Sequence, residues 1–120
     1  MVDERVRVVI TGMGAMTPLG ESPEEYWRNL VAGKSGIGPM TLCDPTDYPC
    51  QISGEVQDFD PVKYMSEREA RRMARFSQLA VAAGLTAVEA ANLDISKEDS
   101  FRVGVVLGNG NGGFPTLEEN

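Results

Sequence analysis

The chemically reactive side chains of this sequence are two cysteines, Cys43 and Cys50, with six residues between them in a stretch rich in Pro, Asp and Thr. A disulfide between them is conceivable, but a cytosolic chain would keep both thiols reduced. The chain contains no histidine, so it supplies neither a Cys–His or Ser–His pair nor an imidazole base. The spacing also lacks the ligands of a metal site. We therefore interpret both cysteines as ordinary loop or core residues and predict no metal and no cofactor.

Two glycine-rich segments follow apolar runs. The first, Gly12-Met13-Gly14, invites a dinucleotide-binding interpretation, but the full fingerprint needs glycine at the position of Thr17, and Pro18 comes next. We therefore favour a tight turn below a sheet. The second runs from Gly108 to Gly113 and lacks the lysine and hydroxyl of a phosphate-binding loop. Two interpretations stay open for it, a close backbone approach to a ligand or partner and a plain flexible turn.

Four arginines, Arg68, Arg71, Arg72 and Arg75, are spaced i, i+3, i+4, i+7, which places them on one stripe of a helix. One interpretation is a solvated face with Glu67 and Glu69 as local counter-charges. The other is a docking site for a phosphorylated or acidic partner. A basic stripe on an acidic protein speeds encounter with such a partner despite the net charge.

The elements that must position these residues are two strands and two helices. Residues 5–11 are dominated by β-branched side chains and predict a strand buried on both faces, and residues 101–107 predict a second core strand. Ser22-Pro23 predicts a helix start and Gly33 its end. A second helix is expected from a capping box at Ser66 to about Ala91. Strands separated by helices in this order predict an α/β fold with a right-handed crossover between parallel strands.

Shorter elements lie between the two helices. Residues 34–49 are loop-like, residues 51–56 suit a short strand, and Asp60-Pro61 begins a helical turn. The second half of the long helix is rich in small residues, with six alanines and Gly84 between positions 80 and 91. Since glycine is costly inside a helix unless something packs against its backbone, we expect this half to be buried under another element.

Composition and net charge limit the classes of function that this chain can have. The 120 residues are 42% apolar, enough for one packed core, and carry a net charge of −7. That charge argues against general nucleic-acid binding, which needs a positive field. No run is long enough to span a bilayer and no signal peptide is apparent, so we expect no membrane association and a cytoplasmic protein.

Taken together, these segments resemble the start of the β-ketoacyl-acyl-carrier-protein synthases of the synthase II type. The resemblance covers essentially the whole chain in order. It rests on these segments: Arg-Val-Val-Ile-Thr-Gly-Met-Gly at 7–14, Thr-Pro-Leu-Gly at 17–20, Trp27, Leu30, Ala-Gly-Lys-Ser-Gly-Ile at 32–37, Val-Gln-Asp-Phe-Asp at 56–60, the arginine-bearing helix, Gly108 to Gly113 and Leu-Glu-Glu-Asn at 117–120.

This resemblance implies a thiolase-like fold that works as a homodimer, with parallel core strands and covering helices. Residues 1–120 would be the N-terminal portion of its first half, an incomplete domain. The family condenses an acyl group held on a cysteine with malonyl-acyl carrier protein, releasing carbon dioxide and extending the chain by two carbons. Its nucleophilic cysteine and both catalytic histidines come later than this sequence reaches. The resemblance therefore implies that the chain alone holds no catalytic residue and is inactive.

Two family features fall within these residues. Arg68, Arg71 and Arg72 align with basic positions that contact the acidic, phosphopantetheinylated acyl carrier protein, which favours the docking interpretation. The glycine loop aligns with the acyl pocket, through Gly108, Gly110, Asn111 and Gly112. Asn111 stands where the family usually has an apolar side chain, and a buried amide without partners would cost about 1–3 kcal/mol. Either the loop sits differently or acyl-chain selectivity differs.

Three hypotheses follow from these observations. The first is a fragment of a condensing enzyme, with the scaffold, part of the acyl pocket and part of the carrier-docking face. The second is a stand-alone module that docks acyl carrier protein without catalysis. The third, ranked last, is a nucleotide-binding α/β domain. Reading the gene past Asn120 separates the first two.

Overall fold

A computed structural model describes residues 6–110 and 112–113. Within these residues the chain forms three α-helices, a two-stranded antiparallel sheet and two single-turn 3₁₀ helices. In chain order they are α1 (Pro23–Val31), β1 (Ile37–Pro39), β2 (Ile52–Gly54), a 3₁₀ turn at Pro61–Lys63, α2 (Glu67–Ala70), α3 (Arg75–Ala90) and a 3₁₀ turn at Ile95–Lys97. Helices and strands are therefore mixed, as the sequence predicts.

Helix α1 begins and ends where the sequence predicts. The Ser22 hydroxyl accepts a hydrogen bond from the backbone N–H of Glu25 at 3.1 Å, and Pro23 occupies the first turn. At the other end Gly33 has φ +70°, the left-handed conformation that glycine adopts without strain. The N–H groups of Gly33 and Lys34 bond back to the carbonyls of the last turn at 3.0 Å each. This is a Schellman motif, which closes the helix.

The prediction of one long helix from Ser66 to Ala91 is wrong, because the chain breaks after Ala70 and resumes as α3 at Arg75. Ala74 has an extended conformation, with ψ 153°. No proline or glycine lies at the break. Tertiary contacts hold it instead: the Gln78 side-chain amide donates to the carbonyls of Ala70 at 2.8 Å and Met73 at 3.2 Å. The Ala70 carbonyl also accepts from the Met73 N–H at 3.2 Å, so Gln78 adds a second bond there and gives the Met73 carbonyl a partner. Packing thus overrides local helix propensity.

The predicted parallel core strands are not confirmed. Residues 6–11 form no strand, and residues 101–107 form none either. Side chains in both segments are exposed; Val8 is 91% and Val106 100% accessible. Runs of β-branched residues become strands only when neighbouring strands pair their backbones and other layers cover their faces. The described part of the chain offers neither segment such a neighbour, so the expected crossover is not found there.

The sheet of the described residues lies elsewhere and is antiparallel. Ile37 pairs with Gly54, Gly38 with Ser53 and Pro39 with Ile52. The short strand predicted within 51–56 is confirmed over Ile52–Gly54, whereas its partner β1 falls in the segment 34–49 that the sequence predicts as loop. Strand β1 is hard to predict from sequence because two of its three residues, Gly38 and Pro39, do not favour strands.

A small core joins α2, α3 and the 3₁₀ turn at Pro61–Lys63, which begins after Asp60 as predicted. Phe59, Ala70 and Ala82 are the buried apolar residues of the described chain. The Arg75 guanidinium lies 4.9 Å from the centre of the Phe59 ring, and Tyr64 stacks on the same ring with centroids 5.8 Å apart. The radius of gyration is 18.0 Å, against about 14 Å for a compact domain of this length. The structure is open, and most of its apolar surface has no cover within it.

The Gly12–Gly14 segment does not form the tight turn that the sequence predicts. It runs along α3, and a turn forms later, where Thr17 and Gly20 exchange backbone hydrogen bonds at 3.0 and 3.1 Å. A Cβ on Gly12 would lie 2.5 Å from the Ala91 nitrogen, and one on Gly14 2.9 Å from the Ala87 nitrogen. These glycines therefore let two backbones approach closely.

The prediction that the alanine-rich half of α3 is buried is met on one side only. The side that includes Ala83, Ala87 and Ala91 is covered by the Gly12–Gly14 segment. Gly84 is exposed, and a Cβ placed there would have nothing within 4 Å. The covered side explains the small residues along it, because larger side chains would push the two backbones apart.

Candidate functional site

Three of the predicted site residues meet on one face. Arg68 belongs to α2, Arg71 is the residue that ends it, and Arg72 follows. All three are exposed, and with Glu67 they line a surface depression of about 290 Å³. We call Arg68, Arg71 and Arg72 the arginine surface. Although α2 is short, the backbone continues as a turn through Met73, so the i, i+3, i+4 spacing still gathers the three side chains.

The backbone under the arginine surface is fixed at its start by the predicted capping box. The Ser66 hydroxyl accepts from the Glu69 N–H at 3.3 Å, and the Glu69 carboxylate accepts from the Ser66 N–H at 3.0 Å and its hydroxyl at 2.6 Å. The Ser66 hydroxyl, and after it the Ser66 N–H, hold the pKa of Glu69 below its ordinary value. Glu69 therefore serves as a helix cap and not as a counter-charge to the arginines.

The far end of α2 is fixed by burial. Ala70 is 6% exposed, and its carbonyl accepts from the Gln78 amide. The three arginine side chains thus extend from a short segment anchored at both ends to the rest of the fold. Such anchoring limits the backbone entropy lost when a partner binds.

The arginines differ in their ion pairing. Arg71 Nη2 lies 2.5 Å from Glu67 Oε1, although both side chains stay largely exposed, at 76% and 67%. Neither Arg68 nor Arg72 forms an ion pair with a described residue. Sequence reasoning treats Glu67 as one of two equivalent counter-charges and misses that it alone pairs with an arginine. The available signal is its i, i+4 spacing to Arg71.

Arg75 is not part of the arginine surface, so the predicted four-residue stripe is wrong in that member. The helix break rotates Arg75 away from the other three. Its guanidinium donates to the Val56 carbonyl at 2.5 Å and the Phe59 carbonyl at 3.4 Å. Arg75 is half-buried and fastens the 56–59 segment onto α3.

The glycine loop lies next to α3. A Cβ on Gly112 would fall 2.8 Å from Phe76 Cγ, and Gly113, with φ +90°, also packs on that ring. Gly108 and Gly110 have open space around them. Asn111 lies outside the described residues. The described residues of the loop therefore approach the Phe76 ring at Gly112 and Gly113, where an added side chain would collide with it.

The two cysteines are free and exposed. The Cys50 thiol donates to the carbonyl of Ile52, the first residue of β2, at 3.6 Å, which is a local contact. No group of three or more His, Cys, Asp or Glu side chains among residues 6–110 and 112–113 is arranged to hold a metal ion. In the same part of the chain, no helix is both long enough and apolar enough to cross a membrane.

A polar groove of about 410 Å³, which the sequence does not predict, lies between the Thr17–Glu21 loop, α1 and residues 55–58. The Asn29 amide donates to the Leu19 carbonyl at 2.6 Å across one wall. On the other side the Glu55 carboxylate accepts hydrogen bonds from Thr41, Leu42 and Ser53. The bond from the Thr41 hydroxyl is the largest cause that lowers the pKa of Glu55 to about 2.

Comparison with known proteins identifies the fold and the family. Residues 5–120 match the sequence profile of the family described as "Beta-ketoacyl synthase, N-terminal domain". Among solved structures, "The ishigamide ketosynthase/chain length factor" superimposes with a TM-score of 0.66 at 37% identity, over 72% of this chain and 21% of that chain. The described fold is therefore that of part of a ketosynthase.

The chain belongs to the β-ketoacyl synthase family, and the resemblance found in the sequence is confirmed. It is 43% identical to the 3-oxoacyl-[acyl-carrier-protein] synthase 2 of Synechocystis sp. over 97% of its own length, and 42% identical to that of Coxiella burnetii over 98%. In both cases it covers 28% of the relative. The chain thus spans little more than a quarter of the length of these proteins.

Proposed function

We propose that this chain forms the scaffold and part of the carrier-docking face of a 3-oxoacyl-[acyl-carrier-protein] synthase. In this role the complete enzyme elongates acyl chains by condensing an enzyme-held acyl group with malonyl-acyl carrier protein, with loss of carbon dioxide. Residues 1–120 are the N-terminal portion of its first domain, and the enzyme is a cytoplasmic homodimer. The names of the relatives support the substrate class, and the family match supports the fold.

The observation that carries the docking role is the arginine surface. Three exposed guanidinium groups lie together on a chain whose net charge is −7, so they form a local positive field against a negative background. Such a patch steers an acidic partner to one orientation. Guanidinium groups also bind carboxylate or phosphate oxygens in pairs, which suits both an acidic helix and a phosphopantetheine arm.

Catalysis is assigned to residues outside this chain. The two cysteines lie in exposed loops, and the chain has no histidine to act as base or to stabilise a developing enolate. The contribution proposed for these residues is therefore positioning. Gly108, Gly110, Asn111 and Gly112 form part of the acyl-pocket wall, where glycines permit close approach of the acyl chain to the backbone.

The experiment that tests the docking role is charge reversal in the full-length protein. Arg71→Glu combined with Arg72→Glu should weaken binding of holo-acyl carrier protein at least about tenfold at low ionic strength. Because two attractive charges are gone, the binding that remains should depend less on salt. Arg28→Glu with Arg102→Glu is the matched control, since it changes net charge equally at exposed positions on other elements. Equal affinity of the two double variants would remove the docking role.

A further inference from the structure

The ion pair between Glu67 and Arg71 divides the arginine surface into two kinds of cation. Arg68 and Arg72 have no ionic partner among the described residues, whereas Arg71 is already engaged by a carboxylate 2.5 Å away. Both members of the pair are largely exposed, so it can open without burying a charge. Within the described part of the chain, an acidic partner that approaches this surface therefore meets one guanidinium group that is already paired and two that are not.

We propose that Glu67 is a specificity-determining residue that competes with the partner's acidic groups for Arg71. This inference rests on the proposed docking role. A carboxylate of the partner gains Arg71 only by displacing Glu67, and the negative charge of Glu67 also repels that carboxylate at short range. A partner with a weakly acidic surface gains little binding free energy when one of its carboxylates replaces Glu67 at Arg71. A partner with several acidic groups binds Arg68 and Arg72 at the same time, and these contacts outweigh the cost of displacing Glu67.

Glu67 rather than Glu69 has this role because of their hydrogen bonds. The Glu69 carboxylate is occupied by the N–H and hydroxyl of Ser66, and it closes the start of α2. Glu67 makes its one described side-chain bond to Arg71 and lines the same depression as the three arginines. Removal of its charge leaves the helix cap intact, so the change acts on the surface and not on the fold.

The test measures the affinity of the full-length protein for holo-acyl carrier protein in a salt series. Glu67→Gln should tighten binding about two- to fivefold at low ionic strength, the range expected for one exposed ion pair, and the gain should vanish at high salt. Glu98→Gln is the matched control: it makes the same change in net charge at an exposed residue outside the depression, and its affinity should stay near that of the parent.

A double-mutant cycle shows whether the effect passes through Arg71. In an Arg71→Gln background, Glu67→Gln should lose most of its gain, because no guanidinium is left to release. A gain of unchanged size in that background, or no tightening by Glu67→Gln alone, overturns the inference. Arg72→Glu distinguishes failure of the docking role from failure of the role proposed for Glu67. If Arg72→Glu weakens binding while Glu67→Gln does not tighten it, the docking role stands and this inference falls; if Arg72→Glu has no effect, both fall.

Discussion

Because the Gly12–Gly14 segment packs on α3, we predict that a side chain at Gly14 separates the segment from the helix. Replacement by alanine adds one methyl group, and its carbon would lie 2.9 Å from the Ala87 nitrogen, 0.5 Å short of the 3.4 Å at which ordinary contact begins. It would lie closer still to the Ala83 carbonyl oxygen and the Thr86 hydroxyl. Two of these three atoms belong to the backbone of α3, so no side-chain rotation relieves the collision. The whole segment must move away.

The cost follows from overpacking. Extra methyl groups in packed sites cost about 1–3 kcal/mol, and a collision with helix backbone belongs at the upper end of that range. About 3 kcal/mol corresponds to a rise of roughly a hundredfold in the equilibrium for local opening. The expected result of Gly14→Ala in the full-length protein is therefore a loss of hydrogen-exchange protection of that order in α3.

Hydrogen exchange followed by mass spectrometry measures this directly, through peptides from Arg75–Ala90. Gly38→Ala is the control: it adds the same methyl group in β1, where a Cβ meets nothing within 4 Å, and should leave the same peptides unchanged. Equal protection of α3 in Gly14→Ala and in the parent protein would refute the reasoning, because it would mean that the segment does not lie against the helix.

Three further predictions concern the anchoring of residues 56–59, the ionisation of Glu55 and catalysis. Arg75→Met removes the hydrogen bonds to Val56 and Phe59 and the contact with the Phe59 ring, which should destabilise the attachment of this segment by about 2 kcal/mol. Limited proteolysis within residues 56–60 should therefore become faster. The control Arg102→Met should leave the rate unchanged. The pKa of Glu55 is lowered to about 2 from 4.5, so its stabilising contribution is complete above pH 4.5 and is lost as the pH falls toward 2. An NMR titration of the Glu55 carboxyl carbon should show a midpoint near 2, and a midpoint at the ordinary value would contradict the hydrogen bonds described for this carboxylate. The 120-residue chain, incubated with acyl- and malonyl-acyl carrier protein, should release no carbon dioxide above the blank, and measurable release would show that the missing histidines are not needed.

Local signals in the sequence predict local structure well. The Ser22-Pro23 start, the Gly33 end, the Ser66–Glu69 capping box and the turn after Asp60 all occur where side-chain chemistry places them. At the three starts one side chain bonds a backbone group within four residues, and at Gly33 the backbone itself closes the helix, so the information lies within a few positions. Tertiary context is not needed to form these caps.

The main failures in predicting the fold involve contacts between segments that the local sequence does not indicate. The helix break after Ala70 depends on Gln78 and on the reach of Arg75 to Val56, and no residue at the break itself indicates it. Residues 6–11 and 101–107 have strand composition, but a strand needs neighbours. The role of Gly12 and Gly14 as a contact with α3 likewise depends on what lies opposite them, which composition does not specify.

The sequence predicts which residues form the arginine surface, but it does not predict that Arg75 lies away from it. Spacing brings Arg68, Arg71 and Arg72 together as expected. It does not separate Arg75 from them, because the position of Arg75 depends on the helix break, which spacing along an ideal helix does not show. The two glutamates could have been told apart, since the capping box assigns Glu69 to Ser66 and the i, i+4 spacing assigns Glu67 to Arg71.

The most direct test of the account is a structure of the full-length protein in complex with holo-acyl carrier protein. The account expects acidic side chains of the carrier within ion-pairing distance of at least two of Arg68, Arg71 and Arg72, with Glu67 displaced from Arg71. A carrier protein bound on another face, with the three arginines in solvent and the Glu67–Arg71 pair intact, would contradict it.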